Sequence, residues 1–175
     1  PEVAGSADQV DVVINVKERN SGSFVFGLGY QALYGLTTNV QLNENNFLGS
    51  GNRLGVTVQT NAYSNRISFS YFDPYFTDDG ISRSFDLYYR TSRPLNSIGS
   101  AFQLATPGVS VRFGVPFTEY DTVFFGVGAE QTIIGTTVGV PNSYVTYANS
   151  YGKHSNAYPF TIGWAREERD NPLVP

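Results

Sequence analysis

Cysteine is absent from the 175 residues, which excludes disulfides and thiolate metal sites and suits an exported chain. Positive charge is scarce as well. Only 11 Lys and Arg stand against 15 Asp and Glu, so no broad basic field exists to attract nucleic acid, and no DNA or RNA partner is expected. No apolar run approaches the roughly 20 residues that a membrane-crossing helix needs. The opening PEVAGSADQ has neither the basic stretch nor the apolar stretch of a signal peptide, which predicts that such a leader is absent or already removed. Methionine is missing, and tryptophan and histidine occur once each.

What is abundant points to β-structure. The chain carries 12 Tyr, 13 Phe and 18 Gly with only 15% charged residues, a composition that favours strands. Apolar residues recur at every second position. They run through Phe24, Phe26, Leu28 and Tyr30, then Leu36, Val40 and Leu42, then Leu54, Val56 and Val58, then Ile67, Phe69 and Tyr71. The pattern continues through Phe85, Leu87 and Tyr89, Val109 to Val115, Val123 to Ala129, and Phe160, Ile162 and Trp164. This predicts about eight antiparallel strands in up-and-down order, an all-β fold with no helix.

The alternate positions are polar: Thr37, Asn39, Gln41, Thr57, Gln59, Ser68, Ser70, Ser110 and Thr161, with charges at Asp86, Arg112 and Glu130. Alternation alone fits a soluble barrel with its apolar face inward or a membrane barrel with that face in lipid. Modest hydropathy excludes neither, because only every second residue of a transmembrane strand meets lipid. The connections favour the membrane. Compact Asn-, Asp-, Gly- and Pro-rich segments, NFLGSGNR, DPYFTDDGIS, PFTEYDT and EERDNPLVP, follow every second strand, and on the other side two linkers are long, TSRPLNSIGSAFQLATPG and IGTTVGVPNSYVTYANSYGKHSNA. Phe47, Tyr75, Phe76, Phe117, Tyr120 and Tyr158 lie near strand ends, as an interfacial girdle requires. The opening differs: Val10, Val12, Ile14 and Val16 form a strand of their own before a charged run and a Ser-Gly break, and read as the last strand of a preceding soluble domain.

Taken in order, DQVDVVINVKERNSGSFVFGLGY, NNFLGSGNRLGV, DPYFTDDGIS and FGVPFTEYDT resemble the BamA family of outer-membrane β-barrel insertases. The resemblance covers nearly the whole chain and implies its division. Residues 1–21 would be the tail of the last POTRA domain with a linker, and residues 22–175 the first half of a transmembrane barrel of about sixteen strands. It further implies that the chain is a fragment, that long loops face the cell surface, and that short turns and the N-terminal tail face the periplasm. The implied function is folding and insertion of β-barrel proteins into the outer membrane, without enzyme chemistry or a cofactor. The implied partners are nascent outer-membrane β-barrel proteins, the lipid bilayer, the lipoproteins of the assembly machine and periplasmic chaperones. The alternatives are a two-partner secretion or TamA-type relative and, from another class, a passive diffusion porin.

The stretch GSFVFGLGY, from Gly22 to Tyr30, carries two glycines in its second half, where they weaken strand pairing. From the residues alone, Gly27 and Gly29 read as relief of crowding or as a barrel bend. The resemblance places this strand at the lateral gate, and its free backbone groups would then accept an incoming strand. The substrate-binding edge is thus Gly22, Ser23, Phe24, Val25, Phe26, Gly27, Leu28, Gly29 and Tyr30. Asp86, Arg112 and Glu130 are expected to face the lumen, paired or hydrated. Three further patterns carry less. Gly27, Gly29 and Ala32 match a dinucleotide fingerprint, but a strand rather than a helix is expected to follow. Asp73, Asp78 and Asp79, and Glu167, Glu168 and Asp170, fit no EF-hand spacing and read as solvated turns, so no metal is expected. His154 lies in a long polar loop with no nucleophile or orienting acid beside it in sequence, which argues against a hydrolase.

Overall fold

A two-residue repeat buries or exposes one whole face only if neighbouring strands keep their apolar residues in register. The computed structural model describes residues 20–93, 103–135 and 142–168, together with Val12, Asn15 and Lys17. Its elements are β1 (Gly22–Gln31), β2 (Gly35–Glu44), a 3-10 turn (Phe47–Gly49), β3 (Arg53–Thr60), β4 (Ser64–Asp73), β5 (Ser82–Ser92), β6 (Gln103–Pro116), β7 (Asp121–Gly135), α1 (Asn142–Tyr151), β8 (His154–Ala157) and β9 (Phe160–Arg166). Of the strand expected around Val10 to Val16, Val12 and Asn15 are described, both exposed and neither in a strand, and the rest lies outside the described residues.

β1 to β7 form an antiparallel meander, each strand paired with the next. β8 pairs with Glu130 to Ile133 and β9 with Asp121 to Val127, so these two pieces form one edge strand interrupted at Tyr158 and Pro159. The Gly128 N–H donates to the Pro159 carbonyl at 2.9 Å and bridges the interruption. Nine strands therefore occupy eight positions, as the alternation anticipates.

The register joins the apolar residues into continuous rows. Leu42 faces Val56, which is followed across the sheet by Phe69, Leu87, Val109 and Ala129. A second row runs from Phe85 through Val111 and Val127 to Phe160. These rows are uncovered: Phe24, Leu28, Ile67, Leu87, Phe125 and Trp164 are all exposed, and Ile134 and Ala148 are the fully buried hydrophobic residues among those described. A sheet with no apolar interior of its own requires an apolar surrounding, and the opposite, polar face then lines water. Ten-residue β1 and β2, tilted by about 45° with a rise of about 3.3 Å per residue, cross roughly 23 Å, the height of an outer-membrane apolar band.

Two features depart from the sequence expectation. The supposed long linker after β5 is shorter, because residues 103–108 belong to β6. Pro107 made this stretch look like a turn; it is accommodated because its missing N–H faces β7, where register pairs at residues 106 and 107 are absent. The second long linker contains a helix. In α1, Tyr144, Tyr147 and Tyr151 share one side, Tyr147 and Tyr151 stack at 5.2 Å, and Gly152 ends the helix at φ 90°. On the same side the connections after β1 and β3 are short, residues 32–34 and 61–63, within the varied lengths expected there.

Candidate functional site: the open edge and the polar face

β1 pairs with β2 along its whole length, from Gly22 opposite Glu44 to Gln31 opposite Gly35, and among the described residues nothing pairs with its other side. The Asn45 N–H donates to the Ser21 carbonyl at 3.1 Å. That bond fixes the phase of the ladder: Ser23, Val25, Gly27 and Gly29 direct their backbone groups to β2, and Phe24, Phe26, Leu28 and Tyr30 direct theirs to the open edge. The same four outward residues carry the exposed apolar side chains, between 60% and 78% accessible. The edge is thus a row of unpaired donors and acceptors set in an apolar surface.

Neither crowding nor backbone strain explains Gly27 and Gly29 of β1. Gly27 and Gly29 lie outside the left-handed region, and a Cβ on Gly27 would meet the Cβ of Asn39 at 3.7 Å, an ordinary contact. At Gly29 it would meet Thr37 Oγ1 at 3.1 Å, tight but against a rotatable hydroxyl that donates to the Gly29 carbonyl.

Asp86, Arg112 and Glu130 sit on β5, β6 and β7 with Ser70, Ser84 and Gly108 as cross-strand neighbours, all on the polar side of the ladder. Among the described residues neither Asp86 nor Arg112 makes an ion pair. Glu130 has a partner that sequence reading missed. The Tyr88 hydroxyl donates to Glu130 Oε2 at 2.6 Å, and to get there the ring crosses Gly108, where any Cβ would lie 2.3 Å from Tyr88 Cζ. Only the register could reveal this tie, since its two ends are 42 residues apart in sequence.

The acidic turns are occupied by local structure. Asp73 pairs with Arg83 at 3.6 Å and accepts from the Tyr75 N–H, while the Arg83 guanidinium lies 4.0 Å over the Phe76 ring. Glu168 pairs with Arg166 at 2.5 Å, and Asp170 lies outside the described residues. No group of three potential metal-binding side chains converges among the described residues. Gly27, Gly29 and Ala32 lead through a short turn into β2, not into a helix. His154 is exposed at the start of β8 opposite Ile133, and no side chain hydrogen-bonds to it among the described residues. Tyr75, Phe76, Phe117 and Tyr120 are exposed near the turns at one end of the sheet, where the Trp164 indole donates to Asp121 at 3.1 Å. Tyr158 instead sits in the interruption of the last strand rather than in that girdle.

No described helix is long and apolar enough to cross a membrane, which says nothing of crossing by strands. Outer membrane protein assembly factor BamA of Neisseria meningitidis serogroup B is 31% identical over 183 residues, covering 99% of this chain and 23% of that protein. The protein of the same name in Buchnera aphidicola is 30% identical, covering 70% of this chain and 20% of its own length. The chain therefore spans about a fifth of these relatives. The crystal structure of BamA from Haemophilus ducreyi lacking POTRA domains 1–3 superposes with a TM-score of 0.70 at 29% identity, over 100% of this chain and 35% of that one. The Omp85 superfamily domain matches residues 46–175, from just after the end of β2 onward, and the chain belongs to the Omp85 superfamily.

Proposed function

We propose that this chain supplies the leading strands of an outer-membrane insertase, and that β1 is the edge on which a substrate barrel begins to fold. Unpaired backbone groups in hydrocarbon cost several kcal/mol each. A substrate strand that pairs with β1 on arrival avoids that cost, and each new hairpin can then form against the one before. Backbone pairing needs no nucleophile, metal or nucleotide, and the partners are nascent β-barrel proteins and the bilayer itself. The lipoproteins and chaperones of the machine would act from the periplasmic side, which this reading assigns to the connections at residues 45–52, 74–81 and 117–120.

One observation carries the reading: the open edge of β1 contains two glycines that neither packing nor strain requires. Glycine there lowers the strength of any pairing the edge makes, so a strand can be taken up and later released. The test is disulfide crosslinking in membranes, with single cysteines from Ser23 to Tyr30 and in the terminal strand of an arriving barrel protein. Register-specific crosslinks to the folding substrate are expected. Crosslinks only to the protein's own last strand, even during assembly, would make the edge a fixed seam and favour a secretion pore or porin.

A further inference from the structure

On the polar face beside the open edge lies a groove of about 390 Å³, lined by Gly27, Gly29, Thr37, Asn39, Gln59 and Asn61. Asn39 Oδ1 is shielded from solvent and accepts no hydrogen bond among the described residues. Shielded acceptors are rarely left this way in native proteins.

The same molecule contains a filled version of this arrangement. Tyr88 on β5 crosses Gly108 on β6 and donates to Glu130 on β7, the residue directly opposite that glycine. At the open edge Gly27 on β1 is directly opposite Asn39 on β2, and only the strand before β1 is missing. The short and long cross-strand spacings occur in the opposite order in the two places but sum to the same span, about 10 Å. A side chain as long as tyrosine covers it.

We infer that the groove seats a long side chain ending in a hydrogen-bond donor, of which tyrosine is the model, carried by the incoming strand opposite Gly27, and that Asn39 is the residue that reads it. This rests on β1 acting as the receiving edge, and it adds a preference for one kind of substrate residue at one register position. The glycines are then the floor of a pocket as well as a weak point in pairing. The alternation of the incoming strand leaves its neighbouring residues on the lipid side, where Phe26 and Leu28 accept any apolar partner.

The test uses the membrane-embedded protein and a substrate barrel whose terminal strand carries Tyr, Phe or Ala at the position opposite Gly27. A cysteine at Ser23 fixes the register by crosslinking, clear of the groove. With Asn39 intact, the Tyr substrate should crosslink and fold roughly 3- to 10-fold better than the Phe substrate, the worth of one hydrogen bond. Asn39→Leu should abolish that difference, and Asn39→Asp, which keeps an acceptor, should retain it. Equal crosslinking of Tyr and Phe substrates, or a Tyr preference that survives Asn39→Leu, overturns the inference and leaves strand templating standing. Failure of every substrate to crosslink at Ser23 overturns both.

Discussion

The two sides of this sheet are written in the same alternating pattern and built to different strengths. β1, β2, β3 and β4 are 10, 10, 8 and 10 residues long, while β5, β6 and β7 are 11, 14 and 15. In the longer region two glycines are joints: Gly108 lets Tyr88 cross to Glu130, and Gly114 receives Ser82 and Phe124, each within 3 Å of where its Cβ would be. In the shorter region a Cβ on Gly27 would make only ordinary contact with Asn39 of β2, and among the described residues no strand pairs with its other side. A strand glycine has no meaning by itself. Under a neighbouring ring it strengthens a sheet, and beside a vacancy it weakens one.

The largest test of this contrast is Gly108→Val. It places a branched side chain where the Tyr88 ring lies and should cost about 3 kcal/mol through overpacking and loss of the bond to Glu130. Urea unfolding of the lipid-embedded protein, followed by the emission of Trp164, measures it. Tyr88→Phe should cost about 1 kcal/mol, and a double-mutant cycle with Glu130→Ala should recover a coupling of that size. A coupling near zero would reduce the tie to a hydrated contact.

Gly27→Ala should leave stability unchanged or raise it by about 0.5 kcal/mol, because alanine is the better strand residue and its Cβ would meet only ordinary contacts. The same substitution should lower substrate crosslinking. If Gly27→Ala instead destabilised the protein as much as Gly108→Val, the two regions would not differ in kind. The smallest effect is expected in the β2–β3 turn, where Leu48 is exposed at φ 54°. Leu48→Asn should stabilise by a few tenths of a kcal/mol, seen as a small rise in urea midpoint, because asparagine tolerates the left-handed region better.

The strands were legible because one physical demand, an apolar face against its surroundings, acts on every second residue from Phe24 to Trp164. Local signals failed where a tertiary partner decides the outcome. Pro107 reads as a turn until its position toward β7 is known, and the register gap there accommodates it. Asn142 to Tyr151 shows no alternation, but Tyr144, Tyr147 and Tyr151 repeat at helical spacing, and that signal was available. The open edge was legible as a row of residues, Gly22 to Tyr30. The groove behind it was not, since it joins β1, β2 and β3 through Asn39 and Gln59, whose proximity follows only from the ladder.

The uncovered apolar face has one more consequence. In a water-soluble protein, truncating a buried aromatic leaves a hole, and the hole adds its own penalty to the lost transfer energy. Around Phe24, Leu87 or Trp164 the neighbouring phase is fluid hydrocarbon, which closes over any missing atoms. Alanine substitutions along this face should therefore follow side-chain area alone, with little dependence on the shape of the site. Packing specificity in such a protein resides on its wet side, and its dry side behaves as a solvent-exposed surface in oil.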